Sequence, residues 1–439
     1  MARLNVASHK PVFTHEGTPA FGHLRPEQQL RRSVMSCLLW EDEFYEDSQS
    51  IAARIMAAAL ATAPETLAAI AIEARDVFNL RHAPLLLLEA LSISGKGKPL
   101  VADTVARVIQ RVDELAEMVT LHHKLGTKRM IPAQMRKGLA RAFGKFNEYA
   151  LAKYDRDGAV KLRDVLRLVR PTPKDEEQSA LWKRVKDRTL AAPDTWEVAL
   201  SGGGDKKETF ERMLRDGTLG YLALLRNLRN MAQADVDPDL VKAAIVARKG
   251  GAQRVFPFRY IAAARAAPQF EPALDQALIE AISEMKPLVG KTIVLVDVSG
   301  SMDDKLSAKS DMTRIDAGAA LAAICPGDVR MFSFSERLVE VAPRRGMAGV
   351  DAIRGSQRHG GTYLGAAIQA LNEHKHDRLI VITDEQSHDK VPEPRAKLAY
   401  MINVASAKNG VGYGRWTHID GFSEGVLRYI GEHERNDGH

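Results

Sequence analysis

The chain has 439 residues, 45% of them hydrophobic, with 62 Lys and Arg against 56 Asp and Glu, a net charge of +6 and a sequence pI near 9.1. That length exceeds what one core usually serves, so two domains are expected, and the two cysteines, Cys37 and Cys325, exclude a disulfide framework or a cysteine-based zinc site. No apolar run reaches membrane-spanning length and Met1 to Gly22 has no signal-peptide core, so the expectation is a cytoplasmic protein with two buried thiols and no membrane partner.

From about Pro26 to Glu284 the chain keeps a helical period broken by short turns containing Pro, Gly or Asp. The spacing predicts helices over Ser50–Thr62, Pro64–Phe78, Pro84–Ser94, Leu100–Val119, Pro132–Tyr154 and Val160–Val169, with more to Ile282. Successive helix pairs without a strict sequence repeat fit an α-solenoid of HEAT-like repeats; a globular helical bundle is the alternative.

Residues 122–174 hold fourteen Lys or Arg against four acids. After Pro132, the residues Met135, Leu139, Phe143, Phe146 and Ala150 form an apolar stripe, while Lys137, Arg141 and Lys145 step along another face. The next helix repeats the design, with Leu162, Val165, Leu166 and Val169 inward and Arg163, Arg167 and Arg170 outward. Two cationic ladders on adjacent helices are what a phosphodiester backbone requires. The competing explanation is a solvated charged face.

Leu151-Ala-Lys-Tyr154, Val160-Lys-Leu-Arg-Asp-Val-Leu-Arg-Leu168, Gly220 to Met231 with its Leu-Arg-Asn-Leu-Arg-Asn core, and Phe256-Pro-Phe-Arg-Tyr260 resemble the TROVE module of the Ro autoantigen family. The resemblance implies a ring of HEAT-like helices closed by a C-terminal von Willebrand A domain. It implies Y-type non-coding RNA on a basic outer surface, and single-stranded ends of misfolded RNA in a central hole. In bacterial relatives it implies association with an exoribonuclease such as polynucleotide phosphorylase. It carries an RNA role onto Lys153, Lys161, Arg163 and Arg167. Arg226 and Arg229 are candidates too, although Asn227 and Asn230 of their helix could serve packing between repeats. Asp155 and Asp157 interrupt the basic pattern between Tyr154 and Val160.

Lys286-Pro-Leu-Val-Gly290 marks a boundary, giving a helical domain over 1–286 and an α/β domain over 287–439. Beyond it strand signals (Thr292–Val296, Val329–Phe334, Leu338–Val341, Leu379–Thr383, Tyr400–Val404) alternate with helices at Ile315–Ile324 and Gly365–Leu371. This is the doubly wound, Rossmann-like pattern. The tail from Trp416 runs into a last helix near Glu424–Ile430.

Thr292-Ile-Val-Leu-Val-Asp-Val-Ser-Gly-Ser301 is a buried-strand pattern ending in Asp297, Ser299 and Ser301, and such strand ends border the ligand crevice of an open α/β sheet. Thr362 at a helix start and Asp384 after a second buried strand complete five oxygen donors, a set suited to a hard divalent ion, most simply Mg²⁺. In that order and context they resemble the metal-ion-dependent adhesion site of a von Willebrand factor A domain.

Ser201-Gly-Gly-Gly-Asp-Lys-Lys207 lacks P-loop spacing, and His122-His123 and His374-x-His376 lack partners at ligand spacing. Nothing points to catalysis. A metal-dependent nuclease would need a second metal or a base that the sequence does not show. The expected function is that of a monomeric RNA-binding ring protein in RNA quality control. The alternative is a protein-only adaptor gripping polypeptides through its repeats and its metal site.

Overall fold

The computed structural model describes residues 12–13, 19–20, 26–35, 48–77, 80–125, 130–155, 157–201, 203–255, 257–306, 311–405, 410–412, 414–420, 426–427, 430–431 and 434. Expectations placed on Cys37, Gly202, Phe256 and Glu424 lie outside these residues. The chain forms two compact units, one of residues 52–277 and one joining 1–51 to 278–439. Among the described residues no helix is long and apolar enough to cross a membrane.

A short antiparallel pair, β1 (Val12–Phe13) and β2 (Pro19–Ala20), precedes α1 (Pro26–Met35). The helical run is α2 (Ser48–Ala61), α3 (Pro64–Asp76), α4 (His82–Ile93), α5 (Lys98–Val108), α6 (Val112–Lys124), α7 (Ala133–Phe143), α8 (Glu148–Tyr154) and α9 (Leu162–Val169). It continues with α10 (Glu176–Asp187), α11 (Trp196–Ser201), α12 (Lys206–Arg215), α13 (Tyr221–Gln233), α14 (Pro238–Ala247), α15 (Phe258–Ala266) and α16 (Glu271–Ser283).

Packing in the helical unit is that of a solenoid. Helices α3, α5, α7 and α9 stack one on the next as one layer, and α4, α6, α8 and α10 as the other; α12 with α14 and α13 with α15 continue the rule. Each pair thus buries its apolar stripe on the following pair. Met135, Leu139, Phe143, Leu162, Val165 and Val169 are buried as their spacing requires. The α5–α7 contact is close because position 138 is glycine: a Cβ there would lie 2.6 Å from the Val105 Cβ and 2.8 Å from the Ala102 carbonyl oxygen.

Two predicted long helices are each two shorter ones. Leu100–Val119 breaks after Ile109, where the Glu114 carboxylate accepts from the amides of Gln110 and Arg111 at 2.9 and 3.0 Å and starts α6. Pro132–Tyr154 breaks at Gly144, and the Asn147 side chain starts α8 by accepting from the Ala150 amide at 2.9 Å. Local capping overrode a continuous apolar period in both cases.

The second unit contains β3 (Leu288–Asp297), α17 (Arg314–Ile324), β4 (Gly327–Phe334), β5 (Leu338–Val341), α18 (Gly346–Arg354), α19 (Leu364–Leu371), β6 (Arg378–Thr383), β7 (Leu398–Asn403) and β8 (Thr417–Asp420). The sheet order is β5-β4-β3-β6-β7-β8, parallel except for β5. Ile293, Leu295, Leu379 and Val381 share a core with Leu364, Ile368 and Leu371 of α19, while Val296 and Ile382 on the other face meet α17 at Gly318. Burial on both faces explains why β3 and β6 read as unbroken apolar runs.

The sequence reading did not mark α18 or β8, and it took the stretch of α1 as the start of the helical run. Helix α1 packs on the edge strand β8 with Leu30 and Val34 buried, so the chain's first helix belongs with the sheet. At the other end of the strands the buried Arg378 donates to both Glu434 carboxylate oxygens and, at 2.7 Å, to the Thr292 hydroxyl, while Tyr400 donates to Glu434 at 3.0 Å. This network holds the C-terminal turn, with Ile430 buried, against the sheet.

Candidate metal centre and basic surface

Strands β3 and β6 lie side by side, and the chain turns away from β3 in opposite directions to reach β4 and β6. That is the switch point at which an open α/β sheet leaves a crevice. Asp297 ends β3 and Asp384 follows β6, and both are fully buried.

The turn after β3 is tight because its first carboxylate organises it: Asp297 Oδ1 accepts from the Ser299 amide at 2.9 Å. The Ser299 and Ser301 hydroxyls then lie 3.4 Å apart. The Gly300 amide donates to the Gly360 carbonyl at 3.0 Å, tying this turn to the loop that delivers the buried Thr362. Ser335, just past β4, fixes that loop by accepting from the Gly360 amide at 2.8 Å and donating to the Gly361 carbonyl at 3.1 Å. Asp384 Oδ1 accepts from the Gln386 amide at 3.1 Å.

Burial, and then the charge of Asp384, pushes the Asp297 carboxyl up to about 7. Two carboxylates buried within reach of each other's field, beside three hydroxyls, form a hard-oxygen donor set that a divalent cation would stabilise. The five residues fit such an ion. Among the described residues no group of three or more His, Cys, Asp or Glu is placed to hold a metal ion, so a cation here would rest on two carboxylates and three hydroxyls.

Sequence reasoning missed the supporting residues. Thr383 donates to Asp297 Oδ2 at 2.6 Å and accepts from the Glu385 amide at 3.0 Å. His388 receives the Thr362 amide at 3.1 Å on its Nδ1, and its ring stacks on Tyr363. Glu385 holds a positive φ of 60° while fully buried, accepting from the Gly412 amide and bonding His418. Only the hydroxyl of Thr383, on the last residue of a buried strand beside an acid, was a legible signal.

The expected cationic ladders divide sharply. Arg141 pairs with Asp103, and Lys145 donates to the Ala106 and Ile109 carbonyls, capping the end of α5. Its position after Phe143 made it look like a rung of a ladder; it sits past the end of α7 and is committed to the fold. Lys153 pairs with Glu197 at 3.4 Å and Lys161 with Asp157 at 2.8 Å. Arg163 is half-buried and 4.0 Å from Asp164, and Arg229 donates to the Ala266 carbonyl at 3.2 Å. Lys137, Arg167, Arg170 and Arg226 are exposed, with no ion pair to any described residue. Asn230 donates to Asn227 at 3.0 Å, and the buried Asn227 donates to the Ala223 carbonyl, so both bonds lie within α13 and only Asn227 is buried.

A solenoid of helix pairs together with an A-type α/β unit carrying a carboxylate–hydroxyl site at its sheet switch point defines a recognisable class of two-part protein. The TROVE domain profile matches residues 179–313, and that of the VWA domain containing CoxE-like protein matches residues 278–408. The fold is similar to the crystal structure of the Deinococcus radiodurans RO (RSR) protein, with a TM-score of 0.59 and 19% identity over 93% of this chain and 100% of that one. The two matches follow one another along the chain, TROVE and then VWA, each spanning under a third of it, and the structural likeness is one of fold. It is also 34% identical over 89 residues to telomerase protein component 1 of Mus musculus, a match spanning 19% of this chain and 3% of that protein's length. Arg226 and Arg229 lie inside the TROVE match, whereas Lys137 to Arg170 precede it.

Proposed function

We propose that the protein binds RNA through the backbone charge offered by its helical unit. Arg167 and Arg170 carry the reading. They stand exposed at the end of α9 with no acidic partner among the described residues, whereas the neighbouring Lys161 is neutralised. Free cations on a rigid helix end release counterions from a polyanion; paired ones gain little. The TROVE match supports the same reading.

On this reading the ligands are Y-type non-coding RNA and the single-stranded ends of misfolded RNA, and the setting is RNA quality control in the cytoplasm. The chain acts as a monomer, without catalysis of its own, and an exoribonuclease is a fitting partner. Asp297, Ser299, Ser301, Thr362 and Asp384 would hold Mg²⁺, whose chemistry there is to offer a charged anchor to an incoming oxygen ligand. Thr383 orients Asp297 for that task.

The test is filter binding of total small RNA across a salt series, with wild type compared to Arg167→Ala/Arg170→Ala. Weaker binding and a shallower salt slope in the variant is the expected result. Binding indistinguishable from wild type at every salt removes this surface from the reading, and no binding at all favours the polypeptide-adaptor alternative.

A further inference from the structure

Asp157 interrupts the basic stretch at a point where two cations meet. It stands in the connection between α8 and α9, outside either helix, with 70% of its side chain exposed. Both cations converge on its Oδ1: Lys161 Nζ lies at 2.8 Å and Arg188 Nη1 at 3.1 Å. Lys161, and then Arg188, hold the Asp157 carboxyl below the usual carboxylate range.

The cations are the fixed members of this group. Lys161 starts α9, its amide donating to the Asp164 carboxylate at 3.1 Å. Arg188 closes α10 at a φ of 58°, its amide donating to the Val185 carbonyl at 3.3 Å, and α9 packs on α10. A left-handed helix end favours glycine, so the arginine is explained by what its side chain reaches rather than by helix closure. Two packed helices therefore bring one cation each to a single exposed point, which a carboxylate oxygen of the chain fills. Arg141 differs, for it is one cation facing Asp103, an acid built into α5.

An exposed ion pair is weak, and a phosphate offers oxygens that accept from both cations in the same way. We propose that Lys161 and Arg188 form a seat for one backbone phosphate of RNA, that Asp157 occupies this seat in the free protein, and that binding exchanges the carboxylate for the phosphate. Asp157 can leave at small cost, because it is carried by a connection and is already in water. Arg188 is thereby an RNA contact, and Asp157 is a competitor built into the chain that lowers affinity until it is displaced. The inference rests on the RNA reading above and adds to it a contact held in reserve.

The experiment is fluorescence anisotropy of a labelled RNA hairpin with a uridine-rich single-stranded tail, across a salt series, on wild type, Asp157→Asn, Asp187→Asn and Asp157→Asn/Arg188→Ala. Asp157→Asn is expected to bind about three- to tenfold tighter at low salt, the reach of two exposed ion pairs, with the gain shrinking as salt screens those pairs in the wild type. Adding Arg188→Ala should remove most of the gain. Asp187→Asn deletes the same charge next to Arg188, from an exposed acid with no ion pair among the described residues, and should gain less. A gain that survives the loss of Arg188, an equal gain in Asp187→Asn, or no gain at all overturns the proposal and leaves the RNA reading standing. If neither wild type nor any variant binds RNA, the RNA reading fails; calorimetry with inorganic pyrophosphate then decides the seat, and Asp157→Asn binding it no tighter than wild type overturns the proposal.

Discussion

Thr383 and Asp297 face each other across the centre of the sheet, the threonine hydroxyl donating to the aspartate at 2.6 Å and holding the Glu385 amide at 3.0 Å. One hydroxyl therefore orients a site carboxylate and pins the turn that carries Asp384. Thr383→Val should weaken Mg²⁺ or Mn²⁺ binding by about 10–100-fold, the usual effect of removing a residue that orients a ligand, and Thr383→Ser should restore most of it. Calorimetric titration of metal into the three proteins checks this; equal affinities would show that the hydroxyl does not orient the site.

The same site predicts a pH dependence. Burial and the neighbouring Asp384 raise the Asp297 carboxyl from 3.8 to about 7. Between those values the folded state holds more protons than the unfolded chain, so this group's contribution to stability falls as pH rises through that window. Metal-free wild type should lose thermal stability from pH 5 to 8 relative to Asp297→Asn, and Mg²⁺ should raise the wild-type melting temperature more at pH 8 than at pH 5. Melting curves of both proteins with and without chelator measure it, and parallel curves would contradict it.

Arg378 and Glu434 form a buried ion pair with Thr292 and Tyr400 as further partners. Removing one member strands the other charge, so Arg378→Met or Glu434→Gln alone should cost about 3–5 kcal/mol. The double variant should cost less than the sum, as denaturant unfolding in a double-mutant cycle would report.

Gly138→Ala should destabilise the helical unit by about 1–3 kcal/mol, because the methyl group meets Val105 and the α5 backbone at under 3 Å. Gly138→Ala with Val105→Ala should recover part of that loss, which chemical denaturation can show.

For the basic surface, the salt slope of RNA binding distinguishes free from committed cations. Arg167→Ala/Arg170→Ala should lower the slope by about 1–2 units, since each neutralised phosphate contributes about 0.7–0.9. Arg141→Ala, whose guanidinium is held by Asp103, should leave the slope unchanged and serve as the control.

Much of the α/β unit was legible because its strands are buried on both faces and its site residues fall at strand ends, where Asp297 and Asp384 stand out against apolar runs. Strand β8 was not, because four residues, Thr417–Asp420, at a sheet edge carry no apolar run. The helical unit showed its period but hid its breaks at Ile109 and Gly144, since capping acts over three or four residues while the apolar stripe continues across. The basic ladders were the least legible part. Sequence spacing places Arg141, Lys145 and Lys161 on a helix face or at its end, but whether an acid or a carbonyl waits opposite depends on Asp103, Ala106 and Asp157, two of them some forty positions away.

Helix α1 rests on β8, the last strand of the sheet. An uncovered terminal strand is a template on which a second molecule can add its own backbone. Removing the chain through Val34 would therefore do more than delete a helix: it would bare β8 to other copies of the chain, and light scattering would register their association before any loss of secondary structure.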